Sequence, residues 1–274
     1  MANSDRKDEI ISRLTAGIEE LTTSERWQQW LAVQSRFHHY SFRNTLLIQL
    51  QCPEATRVAG FRAWQQLDRQ VRKGEKAIWI LAPVTRKRGD DDVDDDGNAR
   101  ILVAFKPACV FDILQTDGEP LPEVCSRLDG AAPGGVYDQL VEVAHSIGYS
   151  VEEDYLPGGR NGDCNFAERH IRVEVTNAPA QQVKTLAHEL AHAMLHENAQ
   201  DRPLAELEAE SVAFVVCTAL GVSSDDYSFG YVTGWAGGGD AAIAGIKESA
   251  SRIQRTADQI LAAVEINPAE DIAA

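Results

Sequence analysis

The stretch Thr185-Leu186-Ala187-His188-Glu189-Leu190-Ala191-His192-Ala193 decides how this chain reads. It sets His-Glu-x-x-His inside an apolar run with helical spacing. Residues four apart share a helix face, so His188 and His192 stand side by side. Two neutral imidazole nitrogens so placed suit one Zn²⁺ ion. Glu189 lies beside them, positioned to take a proton from water at the metal. This is the arrangement of a zinc peptidase, and one Zn²⁺ per chain is the expected cofactor.

A catalytic zinc takes three protein ligands and keeps one position open. The third ligand must come from another element. Pro203 opens a second helical run that carries Glu206, Glu208 and Glu210 and turns apolar over 212–216. Glu206 and Glu210 are one turn apart and share a face, whereas Glu208 points away from it. One of that pair is expected on the metal and the other behind a histidine, orienting it; spacing does not choose between them. His196 falls two turns after His188 but drifts about 80° around the helix, so it reads as a supporting or surface residue. His170, which opens an alternating segment over 170–175, is a candidate substrate contact. Tyr227 and Tyr231 are candidates for stabilising an oxyanion. The strand around 171–175 is expected to pair with an extended peptide.

Charge is divided unevenly along the 274 residues. The net charge is −16, yet residues 1–88 hold 15 Lys and Arg against 9 Asp and Glu. Within 26–88 the balance is 12 basic residues to 3 acidic. Basic residues there (Arg43, Arg62, Arg72, Lys73, Lys76) interleave with aromatic ones (Trp27, Trp30, Phe61, Trp64, Trp79), the composition of a single-strand nucleic-acid binder. Five cysteines (Cys52, Cys109, Cys125, Cys164, Cys217), widely spaced and without a Cys-x-x-Cys pair, argue against a disulfide framework. The amino terminus is polar, and no apolar run reaches the roughly 18 residues of a membrane span. The expected location is cytoplasmic.

Helical periodicity covers 5–21, a span from a Thr22/Glu25 capping pair to about residue 37, then 43–50 and 61–69. Strands are expected at 76–82 and 99–110, joined by the aspartate-rich 89–98, read as an exposed hairpin loop. A small-residue linker at 126–135 sets a domain of residues 1–125 apart from one of 136–274. Beyond the linker, helices are expected at 136–147, 179–196, 203–220 and 240–264. Strands are expected near 149–153 and 170–175, with a turn over 158–162. The fold class is α+β: amino-terminal helices with a small antiparallel sheet, then a helical metal domain.

Three segments carry a family resemblance. Tyr40-Ser41-Phe42-Arg43-Asn44-Thr45-Leu46-Leu47-Ile48, Gly60-Phe61-Arg62-Ala63-Trp64 and Val71-Arg72-Lys73-Gly74-Glu75-Lys76-Ala77 are similar to the amino-terminal domain of ArdC-type antirestriction proteins. Phe105 and Val110-Phe111-Asp112 resemble the strand that closes it. The resemblance implies single-stranded DNA as partner, with Arg43, Asn44, Arg62, Trp64, Arg72, Lys73 and Lys76 as candidate contacts. The carboxy-terminal half resembles the family's zincin domain of gluzincin type, related to ImmA/IrrE metallopeptidases. His188, Glu189 and His192 match its motif, and in Glu206-Leu207-Glu208-Ala209-Glu210 the first glutamate is the one implied on zinc. Tyr231-Val232-Thr233-Gly234-Trp235 continues the likeness. The implied function is a DNA-associated zinc metallopeptidase that hydrolyses a protein or peptide substrate, in antirestriction or a mobile-element or stress response. Two alternatives stand beside it. One is a protective DNA-binding protein with a silent or structural metal site. The other is an ImmA/IrrE-type protease that cleaves a repressor.

Overall fold

A computed structural model describes residues 3–87, 100–119, 135–222 and 240–264. The aspartate-rich loop 89–98, the linker as far as residue 134, and Tyr227 and Tyr231 lie outside those residues. Helices and three small sheets make the fold α+β. The described residues pack as two units: 3–17 with 46–119, and 18–45 with 135–222 and 240–264.

In the first unit, a long antiparallel pair dominates. Strands β3 (Ile78–Lys87) and β4 (Arg100–Asp112) run from the pair Ile78↔Val110 to Lys87↔Arg100, with a shift of register at Val84/Thr85. They are the expected strands, with β3 running on to Lys87 at the hairpin end and β4 to Asp112 at the other. The short β1 (Val58–Ala59) joins the free edge of β4. Asp112 is buried where they meet, and its carboxylate accepts from the backbone N–H of Thr56, Arg57 and Leu114. A buried carboxylate needs such donors, and here they fix the loop entering β1. Strands β2 (Arg69–Val71) and β5 (Thr116–Gly118) form a second ribbon. The expected helix over 61–69 is only α4 (Phe61–Gln66), because Asp68 turns to a positive φ of 55° and Arg69 enters β2.

In the second unit, α2 (Ser24–Arg36) packs on α7 (Arg202–Ala219), although α2 precedes the linker by nearly a hundred residues. Trp27 and Trp30 are buried; the Trp27 indole N–H donates to Ser211 Oγ on α7 at 3.0 Å, and that of Trp30 to Thr45 Oγ1 at 3.0 Å. The α2 cap is Thr23, not Thr22: Thr23 has extended backbone and accepts from Arg26 N–H, whereas the Thr22 hydroxyl turns back to Glu19 O. The remaining order is α5 (Val136–Ser146), β6 (Ser150–Asp154), β7 (Gly162–Asn165), β8 (His170–Glu174), α6 (Pro179–Leu195), α7 and α8 (Asp240–Ala263). Gly148, with φ 82°, ends α5 as the left-handed residue a helix stop favours. The sheet order is β6-β8-β7, with β8 parallel to β6 and antiparallel to β7.

That order corrects one expectation. The strand over 171–175 cannot take up a peptide, because both of its edges are already paired. The edge belongs to β7, in a segment that reads as turn because Gly, Asn and Asp obscure its alternation.

Candidate metal centre

Helix α6 carries His188, Glu189 and His192, and its apolar face (Val183, Leu186, Ala187, Leu190, Ala191) is buried. Pro179 at the first turn starts it after Ala178, without a side-chain cap. Helix α7 begins after Asp201, whose side chain accepts from Leu204 N–H. His188 and His192 fall in the third and fourth turns of α6, and Glu206 in the second turn of α7.

The imidazoles of His188 and His192 point their Nε2 atoms at one spot, 3.0 Å apart. Glu206 Oε2 lies 3.4 Å from the first and 3.7 Å from the second. In a tetrahedral zinc site with bonds of about 2.05 Å, neighbouring ligand atoms stand about 3.3 Å apart. The three observed edges bracket that value, so the donor set fits a divalent cation in both chemistry and spacing. Glu210 takes the other position weighed above: its Oε2 is 3.2 Å from His188 Nδ1, and Lys184 Nζ is 3.3 Å from its Oε1.

The charges agree with this arrangement. Burial works against a charged His188, but hydrogen bonds to Glu206 and Glu210 outweigh it and hold the ring up to about 9. Hydrogen bonds from His188 and His192 hold the Glu206 carboxyl well below the usual range. Burial pushes Glu189 up, against the pull of the two imidazoles, while Glu206 and Asp163 add to the rise. A set of carboxylates around two rings therefore favours added positive charge, which a bound cation supplies.

Behind His192 runs a relay that sequence reading missed in part. His192 Nδ1 meets His196 Nδ1 at 2.9 Å, and His196 Nε2 meets Glu208 Oε2 at 3.2 Å. Arg252 on α8 donates its Nε to both Glu208 oxygens at 3.1 Å. Glu208 does face away from Glu206, as helical spacing requires, but it faces into the protein and is 2% exposed. His196, one turn past His192, was the legible signal. Arg252, 44 positions beyond Glu208, had none.

The cleft over these residues holds about 980 Å³ and is bounded on one side by β7 and the loop before it (Gly159 to Cys164). Arg172 pins β7 through a two-pronged contact with Asp163, at 3.0 and 2.7 Å. Gly162 is required there: a Cβ would come within 2.5 Å of Thr185 Cγ2 and 3.0 Å of Glu189 Oε1. Cys164 lines the cleft, but burial, then the charges of Glu189 and Asp163, push its thiol up to about 12. His170 is not brought into this cleft: its Nδ1 is 2.8 Å from Ser150 Oγ and its Nε2 3.4 Å from Glu152.

Two family models match in tandem. Residues 4–111 match the N-terminal domain of anti-restriction factor ArdC, and residues 139–220 match the IrrE N-terminal-like domain. The crystal structure of the antirestriction ArdC protein from plasmid R388, in its metal-free form, covers 81% of this chain and 84% of that one, with 25% identity and a TM-score of 0.53. The chain is an ArdC-type two-domain protein. The Mn(II)-bound form of the same plasmid protein shares the fold at 24% identity and a TM-score of 0.52, over 86% of this chain and 98% of that one. An uncharacterized protein of Bacillus anthracis, pXO2-81, is 24% identical over 82% of this chain. The chain spans about half of that relative's length, 46%.

In this ArdC-type chain the candidate DNA contacts divide by burial. Arg43, Arg62, Lys73 and Lys76 are exposed. Arg72 is exposed but paired with Glu75 at 2.8 Å and Asp117 at 3.5 Å. Asn44 and Trp64 are corrected. Asn44 sits on the buried face of α3 (Phe42–Gln51). Trp64 is 1% exposed and donates its indole N–H to Phe111 O at 2.9 Å, so it is core and offers no stacking face. The exposed rings of the first unit are Phe61 and Phe105. Among the described residues, no helix is long and apolar enough to cross a membrane.

Proposed function

We propose that this chain is a zinc-dependent peptidase that works in association with single-stranded DNA. One observation carries the catalytic part: three donors on two helices converge at tetrahedral spacing, with a buried carboxylate next to them on α6. His188, His192 and Glu206 would hold the ion. A divalent cation there supplies Lewis acidity, polarising a carbonyl and easing the deprotonation of water.

The chain's own groups do the rest. Glu189 accepts the proton of the attacking water on a carboxylate oxygen and returns it to the leaving amine. Burial raises its affinity for protons, which favours that acceptance. Glu210 holds His188 through Nδ1, and the chain His196–Glu208–Arg252 holds His192, so both rings keep one orientation. The edge of β7 offers its backbone to an extended peptide, and Gly162 lets that strand lie close to Glu189. Tyr227 and Tyr231 stay candidates for the oxyanion donor.

For the DNA part, residues 1–125 act as the binding region, 126–135 as linker and 136–274 as the peptidase domain. The likeness to the ArdC amino-terminal domain and the exposed Arg62, Lys73, Lys76, Phe61 and Phe105 support this reading. Substitution Glu189→Gln tests the whole proposal. It should abolish hydrolysis of unstructured protein substrates while zinc content and oligonucleotide affinity stay at wild-type level. Retained hydrolysis would sink the enzyme reading and leave a DNA-binding protein with a structural metal.

A further inference from the structure

A second group of metal-binding side chains lies away from the cleft, within the second unit. His38 and His39 stand in the turn between α2 and α3, and Asp258 stands on α8. Both rings aim Nδ1 at one oxygen: His38 is 3.2 Å and His39 2.9 Å from Asp258 Oδ1. The three donor atoms all lie within 4.8 Å of one another. The ring centroids are 3.8 Å apart.

A structural ion pair needs one histidine. Two rings this close repel each other if both carry a proton, and share a single acceptor if both are neutral. A divalent cation removes the conflict, since it takes a lone pair from each ring and the charge of the carboxylate. The two short edges match the spacing around zinc of about 3.3 Å. The backbone is already held for this: His38 O accepts from Gln34 Nε2 at 3.4 Å and from Gln254 Nε2 at 3.1 Å, one turn before Asp258 on α8. On α8, Arg255 turns back along its own helix, its Nε donating to Ser251 O. The three side chains are 21–34% exposed, open enough for an ion to enter and for water to fill a fourth position.

We propose that His38, His39 and Asp258 form a second divalent-cation site, independent of the His-Glu-x-x-His cleft. Two imidazoles and one carboxylate select zinc and its transition-metal neighbours over magnesium or calcium. A bound ion fastens the α2–α3 turn to α8, the helix that also supplies Arg252 to the relay behind His192. The site is structural or regulatory, not hydrolytic.

The test is zinc titration of the full chain, purified without a histidine tag and stripped by chelator, with circular dichroism to confirm folding. The wild type should bind two equivalents. His38→Gln/Asp258→Asn should bind one, and His188→Ala/His192→Ala should also keep one. Combining all four changes should leave none. Equal stoichiometry in the wild type and His38→Gln/Asp258→Asn overturns the proposal, as does an equivalent that survives in the fourfold variant. Because each pair of substitutions removes its own equivalent, failure here is distinguishable from failure of the cleft. As a second readout, Co²⁺ added to His188→Ala/His192→Ala should give the visible bands of a four-coordinate ion, and Asp258→Asn should abolish them.

Discussion

The α6–α7 cleft and the basic amino-terminal stretch pose the same question: which polar and aromatic side chains face a ligand? In the cleft, the residues singled out by spacing converge on one point, Nε2 to Nε2 at 3.0 Å with Glu206 beside them. In the amino-terminal stretch, residues singled out by type scatter: Arg62 and Lys73 to the surface, Trp64 and Asn44 to the interior. The difference lies in what constrains each. A helix converts i, i+4 spacing directly into a shared face. Composition carries no such rule, because an aromatic ring serves a core and a stacking surface equally well.

The comparison breaks most sharply at Glu189. Glu189→Gln keeps volume and polarity but removes the proton acceptor. Hydrolysis should fall by about 10²–10⁴-fold, with zinc stoichiometry unchanged by elemental analysis. Loss of zinc together with activity would mean that Glu189 holds the site together instead of moving a proton.

The amino-terminal counterpart is a pair of substitutions. Trp64→Ala removes a buried ring and its bond to Phe111 O, and should cost about 3–5 kcal/mol of stability by denaturant unfolding. Phe61→Ala removes a ring that is 50% exposed. It should leave stability nearly unchanged and weaken single-stranded DNA binding by about 1–3 kcal/mol. The opposite outcome, with Trp64→Ala stable and DNA-blind, would return Trp64 to the ligand surface. Lys73→Ala should reduce the slope of log affinity against log salt by about 0.7, the single-strand value for one phosphate contact.

How much was legible follows from the same contrast. The described helices and the β3–β4 hairpin could be read from periodicity, as could the three donors His188, His192 and Glu206 as a set that includes one of two glutamates. Strand β7 could not, because Gly162, Asp163 and Asn165 read as turn. Its strand character comes from pairing with β8, which is a tertiary fact. The packing of α2 on α7 was hidden for a similar reason: Trp27 and Ser211 are 184 positions apart and no local pattern joins them. Arg252 behind Glu208 is the third case, a contact that only chain folding creates.

Within the cleft, the two glutamates of α7 should separate by magnitude. Glu206→Ala removes a proposed ligand and should strip the cleft's zinc under dialysis. Glu210→Gln weakens only the hold on His188 and should lower zinc affinity by about 10–100-fold. Zinc binding should also release a proton. The His188 ring, held up to about 9 by its carboxylates once burial is overcome, carries its proton at pH 7.5 in the metal-free chain. A ligand must lose that proton, so titration calorimetry in buffers of different ionisation enthalpy should report roughly one proton released per ion. No release would mean that His188 is already neutral and the local field weaker than the geometry implies.

The smallest expected effect lies at a charge that serves folding alone. Glu174, at the end of β8, accepts from Leu156 N–H at 2.6 Å and from both the N–H and the hydroxyl of Thr176 at 3.1 and 2.7 Å. The bond from Leu156, then those from Thr176, hold its carboxyl below the ordinary 4.5. A depressed folded value means the contribution is complete above the unfolded value and disappears as pH falls through the folded one. Melting temperature should therefore be level from neutral pH to about 5 and decline below 4.5, and Glu174→Gln should flatten part of that acid limb while leaving zinc affinity untouched. If the substitution instead alters zinc binding, the loop at 156–161 that lines the cleft is coupled to β8, and the separation between catalytic charge and folding charge in this half of the molecule does not hold.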